Sequence, residues 1–233
     1  MKLIDTLRNF KGAASIEELS TLFSDLAPAI IYGGYIKVGE DYHIYIHTVE
    51  FYFHSETGSP YDIQDPIVYH REGKYEGRRV PYFPVLSLHA HASGYDITFE
   101  NGDLKYRASA LIRAYSIYDV KEKRFLDTQK EGRHWDDRST YLYDFINGFP
   151  IDGNRFIEWI DAEQTCPHEV KEPTPRRNVF TYENGKKTDK KICAHGASLE
   201  RKTSLYDLHI QISTTCCNGR CCCHNKRRSA RCF

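Results

Sequence analysis

Glu50 closes a run of alternating apolar residues. In an extended strand, side chains two apart share a face, which sets Ile44, Ile46, Thr48, Glu50 and Tyr52 together. A carboxylate at the end of such a row is costly to ionise without a partner, and proteins use that environment to hold a general base near neutral pH. Arg113 is placed similarly. Ser109, Leu111, Arg113 and Tyr115 form one face of their segment, and Ala110, Ile112 and Ala114 the other. A guanidinium between two largely apolar faces seeks a carboxylate or phosphate. A Glu50–Arg113 pair across adjacent strands would satisfy both, either within a catalytic site or as a structural ion pair. The same alternation puts His43 and His47 on the face opposite Glu50. His89 and His91 form an H-x-H, followed by Asp96 and Glu100. Such a pair either lines a pocket or supplies two ligands of a metal site, which needs three or four. His70 lies near the middle of a long polar segment, after Asp65.

These residues must be held by local structure that the sequence also indicates. Ser15 followed by Glu18 fits a capping box, and Ile16, Leu19, Leu22, Phe23 and Leu26 recur at helical spacing until Pro28 ends the element. From residue 30 to 117 the texture is that of strands. Tyr42–Phe53, Leu86–Ala92, Tyr95–Glu100 and Leu104–Tyr118 are rich in β-branched and aromatic residues, and Asn101-Gly102 marks a hairpin turn. Ser55–Pro84, about 30 residues dense in Gly, Pro and charge, is long enough to be a functional loop. Two further helices are expected over Ser139–Ile146 and Asn154–Ala162, then a polar stretch, 163–203, with a strand-like piece at Asn178–Tyr182. The pattern describes an α+β fold: a single domain with a mixed or antiparallel sheet, or an open barrel, flanked by helices. Residues 1–27 form an N-terminal packing helix, 28–203 the main domain, and 204–233 a tail.

The chain has 32 basic and 32 acidic residues, but this balance averages two unlike regions. Residues 216–233 carry five basic groups and no acid, leaving the remainder at a net charge of −5. Six of the eight cysteines lie in the same 18 residues, and only Cys166 and Cys193 belong to the rest. Two separated cysteines make no disulfide framework, so a reduced, cytoplasmic setting is expected. The tail admits three readings: a zinc-binding knuckle on Cys216, Cys221, His224 and another Cys, a disordered basic arm, or non-native sequence; the last two are favoured because its crowded cysteines match no regular zinc spacing. No run of about 18 apolar residues spans a bilayer, and the first residues lack a signal-peptide core. The expected protein is a monomer away from membranes.

Taken in order, the motifs resemble the methylpurine-DNA glycosylase (alkyladenine glycosylase) family. Val49-Glu50-Phe51-Tyr52 is similar to its V-E-x-Y, Asp65 and His70 to the Asp and His that follow, and Ser109–Tyr115 to the stretch ending A-V-L-I-R-A. Pro175-Arg176-Arg177-Asn178-Val179 resembles its late P-R element. Where the family has a tyrosine-rich segment, this chain has Ser87–Gly94, with His89 and His91 in the pocket positions. The resemblance covers roughly residues 28–182. It implies base excision repair: double-stranded DNA is bent, a damaged purine is flipped out, and its N-glycosidic bond is hydrolysed without metal or organic cofactor. Glu50 would be the catalytic base, with Tyr52, His70, His89, His91 and Arg113 forming the substrate pocket. Arg71, Lys74, Arg78, Arg79 and Arg176 would contact DNA. Two other functions fit the same residues. One is a non-catalytic nucleotide- or nucleic-acid-binding member of the same fold, and the other a small cupin-like metal enzyme using His89, His91 and Asp96 or Glu100.

Overall fold

The computed structural model describes residues 2–65, 68, 70–73, 80–91, 94–126, 142, 145–146, 157–162, 174–175, 180–183, 186–191 and 197–200, with residue 91 and those from 174 onward described by backbone alone. The fold is α+β: a curled antiparallel sheet, a half-barrel, with two helices packed on one face.

Helix α1 spans Leu3–Asn9 and α2 spans Ile16–Tyr32. The capping box forms at the start of α2. The Glu18 N–H donates to Ser15 Oγ at 3.2 Å, and the Glu18 carboxylate reaches back to accept from the Ala14 N–H at 2.7 Å. Pro28 does not end the helix as expected, since α2 continues through it to Tyr32. Its ring removes one backbone donor. The extra turn nevertheless buries Ile30 and Ile31 completely, and that burial favours continuing the helix. Among the described residues no helix is long and apolar enough to cross a membrane.

The main sheet runs β3 (Leu88–His91), β4 (Gly94–Thr98), β5 (Tyr106–Asp119), β2 (Tyr42–Ser55), β1 (Gly34–Val38) and β7 (Ile157–Asp161). β6 (Arg124–Phe125) pairs with β5, β8 (Thr174–Pro175) with β11 (Ala197–Glu200), and β11 with β2. β9 (Phe180–Glu183) and β10 (Lys186–Lys191) form a separate pair. β2 and β5 are the long central strands, paired from Tyr42–Asp119 to Ser55–Tyr106. The Asn101-Gly102 turn forms as expected: Asn101 Oδ1 accepts the Asp103 and Leu104 N–H groups at 3.0 and 2.9 Å. The helix expected over Asn154–Ala162 is instead the edge strand β7. Its Ile and Trp suit a strand as well as a helix, and β1 offers it five consecutive antiparallel partners. Of the helix expected over Ser139–Ile146, only Leu142, Phe145 and Ile146 are described, and they are helical.

One apolar core lies between helices and sheet. Phe23 of α2 stacks on Phe51 of β2 at 4.5 Å, and Phe10 packs against Phe23, Phe53, Phe99 and Tyr106. The buried Tyr106 hydroxyl donates to the Phe10 carbonyl at 2.9 Å and so is satisfied within the core. Asp161 of β7 accepts the Leu3 N–H at 2.9 Å, satisfying a free donor in the first turn of α1.

The pairing of β2 with β5 is irregular in the middle, and this decides which side chains meet. Ile46 pairs with Tyr115, Thr48 with Ala114 and Val49 with Ile112, so His47 is an extra residue on β2 and Arg113 an extra residue on β5. Each insertion reverses the alternation on its own strand. The core face of β2 therefore reads Ile44, Ile46, Val49, Phe51 and Phe53, and that of β5 reads Ala108, Ala110, Ile112, Tyr115 and Ile117. Three face assignments made from strict alternation are corrected by this. Glu50 and Tyr52 lie on the face away from Ile44 and Ile46, His43 and His47 share their face, and Tyr115 turns into the core.

The hairpin turn before β5 carries Lys105, exposed, at a left-handed φ of 50°. An L-residue is strained there and glycine is not. Lys105→Gly is expected to raise the unfolding free energy by about 0.5–1 kcal/mol. Urea denaturation measures it, and a lower midpoint would show that this turn carries no strain.

Candidate functional site

On the face of the sheet away from the helices, β2, β4 and β5 present a polar layer that bonds to Glu72, Val80, Pro81, Phe83 and Pro84 of the chain beyond β2. Glu50, His54, Asp96, Thr98, Arg107 and Ser109 all lie there and are all buried. Burying so many polar groups is tolerable because they hydrogen-bond to neighbouring side chains and backbone.

At its centre Glu50, 3% exposed, lies on β2 opposite Leu111 of β5. Arg113, two residues along β5, reaches it diagonally. Arg113 Nε donates to Glu50 Oε2 at 3.0 Å and Nη2 to Oε1 at 3.1 Å, a two-point fork, and the Tyr52 hydroxyl also donates to Oε1. Burial works against the charge on Arg113, but the hydrogen bonds and charge of Glu50, aided by Tyr52, hold its pKa above the ordinary value. With a side chain 28% exposed, Arg113 is also where this cluster opens to solvent. One step further, beyond the irregularity, His47 Nε2 lies 2.9 Å from Ser116 Oγ.

A second cluster surrounds Arg107, a 1% exposed guanidinium. Its Nε donates to Glu56 Oε1 at 2.8 Å and its Nη1 to Glu100 Oε2 at 2.9 Å. The same group donates to the carbonyls of Pro81 and Val80 at 2.8 and 2.7 Å, and Tyr82 lies 4.0 Å beneath it. The carboxylates then hold further backbone: Glu56 accepts the Glu72 N–H at 3.0 Å, and Glu100 accepts the Phe83 N–H at 2.8 Å. His70 Nε2 lies close against Glu100 Oε1. His54 Nδ1 accepts the Asp65 N–H at 3.0 Å, so the imidazole proton sits on Nε2, 3.8 Å from Glu56. Beside this cluster is a polar cavity of about 460 Å³ lined in part by His54, Glu56, Tyr61, Asp62, Arg71 and Glu72.

Comparison of the chain with protein-family models, with curated proteins and with solved structures found no match.

Of the residues singled out from sequence, Glu50, Tyr52 and Arg113 are brought together. His70 is placed apart from them, in the Arg107 cluster. His89 is the cross-strand neighbour of Asp96 and stacks on Phe83 at 4.0 Å, while Phe83 in turn lies 5.2 Å from His70. His91 pairs through its backbone with Gly94, and its side chain lies outside the described residues. Arg71 is half-buried and donates to the Glu72 carbonyl at 3.3 Å. Lys74, Arg78, Arg79 and Arg176 lie outside the described residues, as does 204–233. Glu100 is engaged by Arg107 and His70, and among the described residues no cluster of three His, Cys, Asp or Glu side chains is arranged to hold a metal. Sequence reasoning missed Arg107, although the test that selected Arg113, a guanidinium within an apolar alternation, selects it equally. It also missed His54 and Glu56, whose roles depend on a loop that returns over them.

Two predictions concern this layer. Arg107→Met leaves Glu56 and Glu100 buried without a counter-charge and should cost about 3–5 kcal/mol of stability. Combining it with Glu56→Gln and Glu100→Gln should recover part of that loss in denaturant titrations. The second concerns pH. Burial holds the His54 pKa below its ordinary 6.5, with the charge of Glu56 opposing the shift. As pH falls below that value, the unfolded chain binds a proton that the folded chain refuses, so stability declines on the acid side. His54→Asn keeps an acceptor for the Asp65 N–H and should flatten the decline between about pH 7 and pH 5. An unchanged slope would mean that His54 does not contribute to it.

Proposed function

We propose that the protein is a hydrolase of N-glycosidic bonds that removes alkylated or otherwise damaged purines from DNA, with Glu50 activating water. The proposal includes a distant relation to the methylpurine-DNA glycosylase fold. Its principal support is the direct Glu50–Arg113 pair, buried on the carboxylate side and open to solvent through the guanidinium.

The chemistry follows from the lone pairs. Glu50 Oε1 accepts from both Arg113 and Tyr52, whereas Oε2 accepts from Arg113 Nε alone among the described residues. A carboxylate oxygen can accept twice, so Oε2 has room for a water proton. That water attacks the sugar carbon and passes its proton to Glu50. As its oxygen bonds to the carbon, the carbon–nitrogen bond breaks and its electron pair leaves with the purine. An alkylated purine is cationic and departs neutral, so the base need only be moderate. Arg113 fixes the carboxylate's orientation throughout, and Tyr52 holds its second oxygen.

A second function is favoured by the same hydrogen bonds. Both oxygens of Glu50 already accept hydrogen bonds from within the protein, which suits a site that binds a nucleotide or nucleic acid without turnover. The two functions separate in one assay. With duplex oligonucleotides carrying an alkylated purine or deaminated adenine, the hydrolase releases free base, and Glu50→Gln lowers the rate by about 100-fold or more. Release of no base, or full activity in Glu50→Gln, ends the hydrolytic assignment. Saturable binding without release then selects the second function.

A further inference from the structure

Beside the Arg107 cluster, at the Ser55 end of β2, the cavity of about 460 Å³ falls within the size range of ligand sites, about 300–1,000 Å³. Apart from Gly58, every residue lining it carries a polar side chain. Glu50 lies four residues back along β2 and is not among them. The walls are fixed by hydrogen bonds of their own. Ser55 Oγ accepts the Ile63 N–H at 3.1 Å, Gln64 Nε2 donates to the Ser55 carbonyl at 3.1 Å, and the Ser59 hydroxyl donates to the Leu104 carbonyl at 2.9 Å. A site formed in advance loses less freedom when it takes a ligand. Three lining side chains are not satisfied in this way. His54 is 7% exposed, and with Nδ1 engaged by the Asp65 N–H its ring proton is on Nε2. Glu56 Oε2, at 3.8 Å, is too far away to accept that proton. The carboxylates of Asp62 and Glu72 accept no hydrogen bond among the described residues.

We propose that this cavity binds a neutral polyhydroxylated ligand, a small sugar, with one oxygen accepting from His54 Nε2 and hydroxyls donating to Asp62 and Glu72. The unmet groups select this chemistry. A phosphate offers His54 an acceptor but gives the two carboxylates no donor, and an ammonium group does the reverse. A hydroxyl donates and accepts and rotates to suit, so several on one small frame serve all three side chains. The charges agree with a neutral occupant. In the lining, Glu56, Asp62 and Glu72 are set against Arg71. Arg107 on Glu56, and Lys105 with its Nζ against Gly58, add two cations behind the wall. Burial holds the His54 pKa below its ordinary 6.5, so the imidazole adds no charge. With the buried Asp65 counted as well, one negative charge is left over, which is the wrong sign for an anion and too little to draw in a polycation. The site is separate from Glu50 and stands whether or not that carboxylate is catalytic.

Isothermal titration of the full chain with glucose, galactose, mannose, N-acetylglucosamine, maltose and lactose tests the proposal, with inorganic phosphate and putrescine as the charged alternatives. At least one sugar should bind saturably, with a Kd of about 1 mM or below. Asp62→Asn and Glu72→Gln each remove an ionised acceptor, and each should weaken that binding about tenfold or more. Glu40→Gln, in the turn before β2 and remote from His54, should leave it unchanged. Melting temperatures report on folding. Asp62 is exposed, so its variant keeps the test sound even where Glu72→Gln is less stable. Absence of sugar binding up to about 20 mM would overturn the proposal. So would phosphate or putrescine binding more tightly than every sugar. Undiminished affinity in both Asp62→Asn and Glu72→Gln would overturn it too, by placing the sugar elsewhere on the chain.

Discussion

Arg107 is the constraint around which the outer face is arranged. A guanidinium taken out of water is costly unless its donors are met, and here they are met by Glu56, Glu100 and the carbonyls of Val80 and Pro81. Each carboxylate in turn accepts a backbone N–H from the segment that follows β2, through Glu72 and Phe83. One charge placed inside the protein thus holds Val80 and Pro81 directly, and Glu72 and Phe83 through its carboxylate partners. The fold has an apolar core on one side of its sheet and a hydrogen-bonded, charged layer on the other, with β2 and β5 contributing to both.

That double duty depends on the two irregularities at His47 and Arg113. A single insertion on one strand alone would leave all the later pairs out of step. With one on each strand the register recovers, and from Val49 onward the core face continues in phase with Ile112, Ala110 and Ala108. Arg113 is itself the extra residue of its strand, which helps explain how it reaches diagonally to Glu50 rather than facing a direct partner.

Much of this was legible in the sequence, for identifiable reasons. The capping box of Ser15 and Glu18, the Asn101-Gly102 turn and the long central strands rest on local rules, and local rules held. The Glu50–Arg113 contact was legible because two charges in apolar surroundings must find one another, whatever the register. Which face they shared was not, since alternation cannot reveal an inserted residue. Pro28 and β7 depart from the local pattern for a related reason. Burial of Ile30 and Ile31 sustains the last turn of α2, and the free edge of β1 decides the conformation of Ile157–Asp161; both are supplied by distant parts of the chain. Arg107 could have been found by the argument applied to Arg113, whereas the partners that make it central come from a loop whose path only the structure shows.

The hydrogen bond from Leu3 to Asp161 has a consequence for the order of assembly. It joins residues 158 apart in sequence, and β1 likewise waits for β7 along its outer edge. As the chain emerges from the ribosome, α1 and α2 are made before the sheet they pack on. The acceptor that anchors the start of α1, and the strand that pairs with the outer edge of β1, appear only after the long central strands β2 and β5 have been synthesised. Contacts of such long separation slow folding and lengthen the time for which unpaired edges are open. α1 and α2 are therefore made well before they are secured.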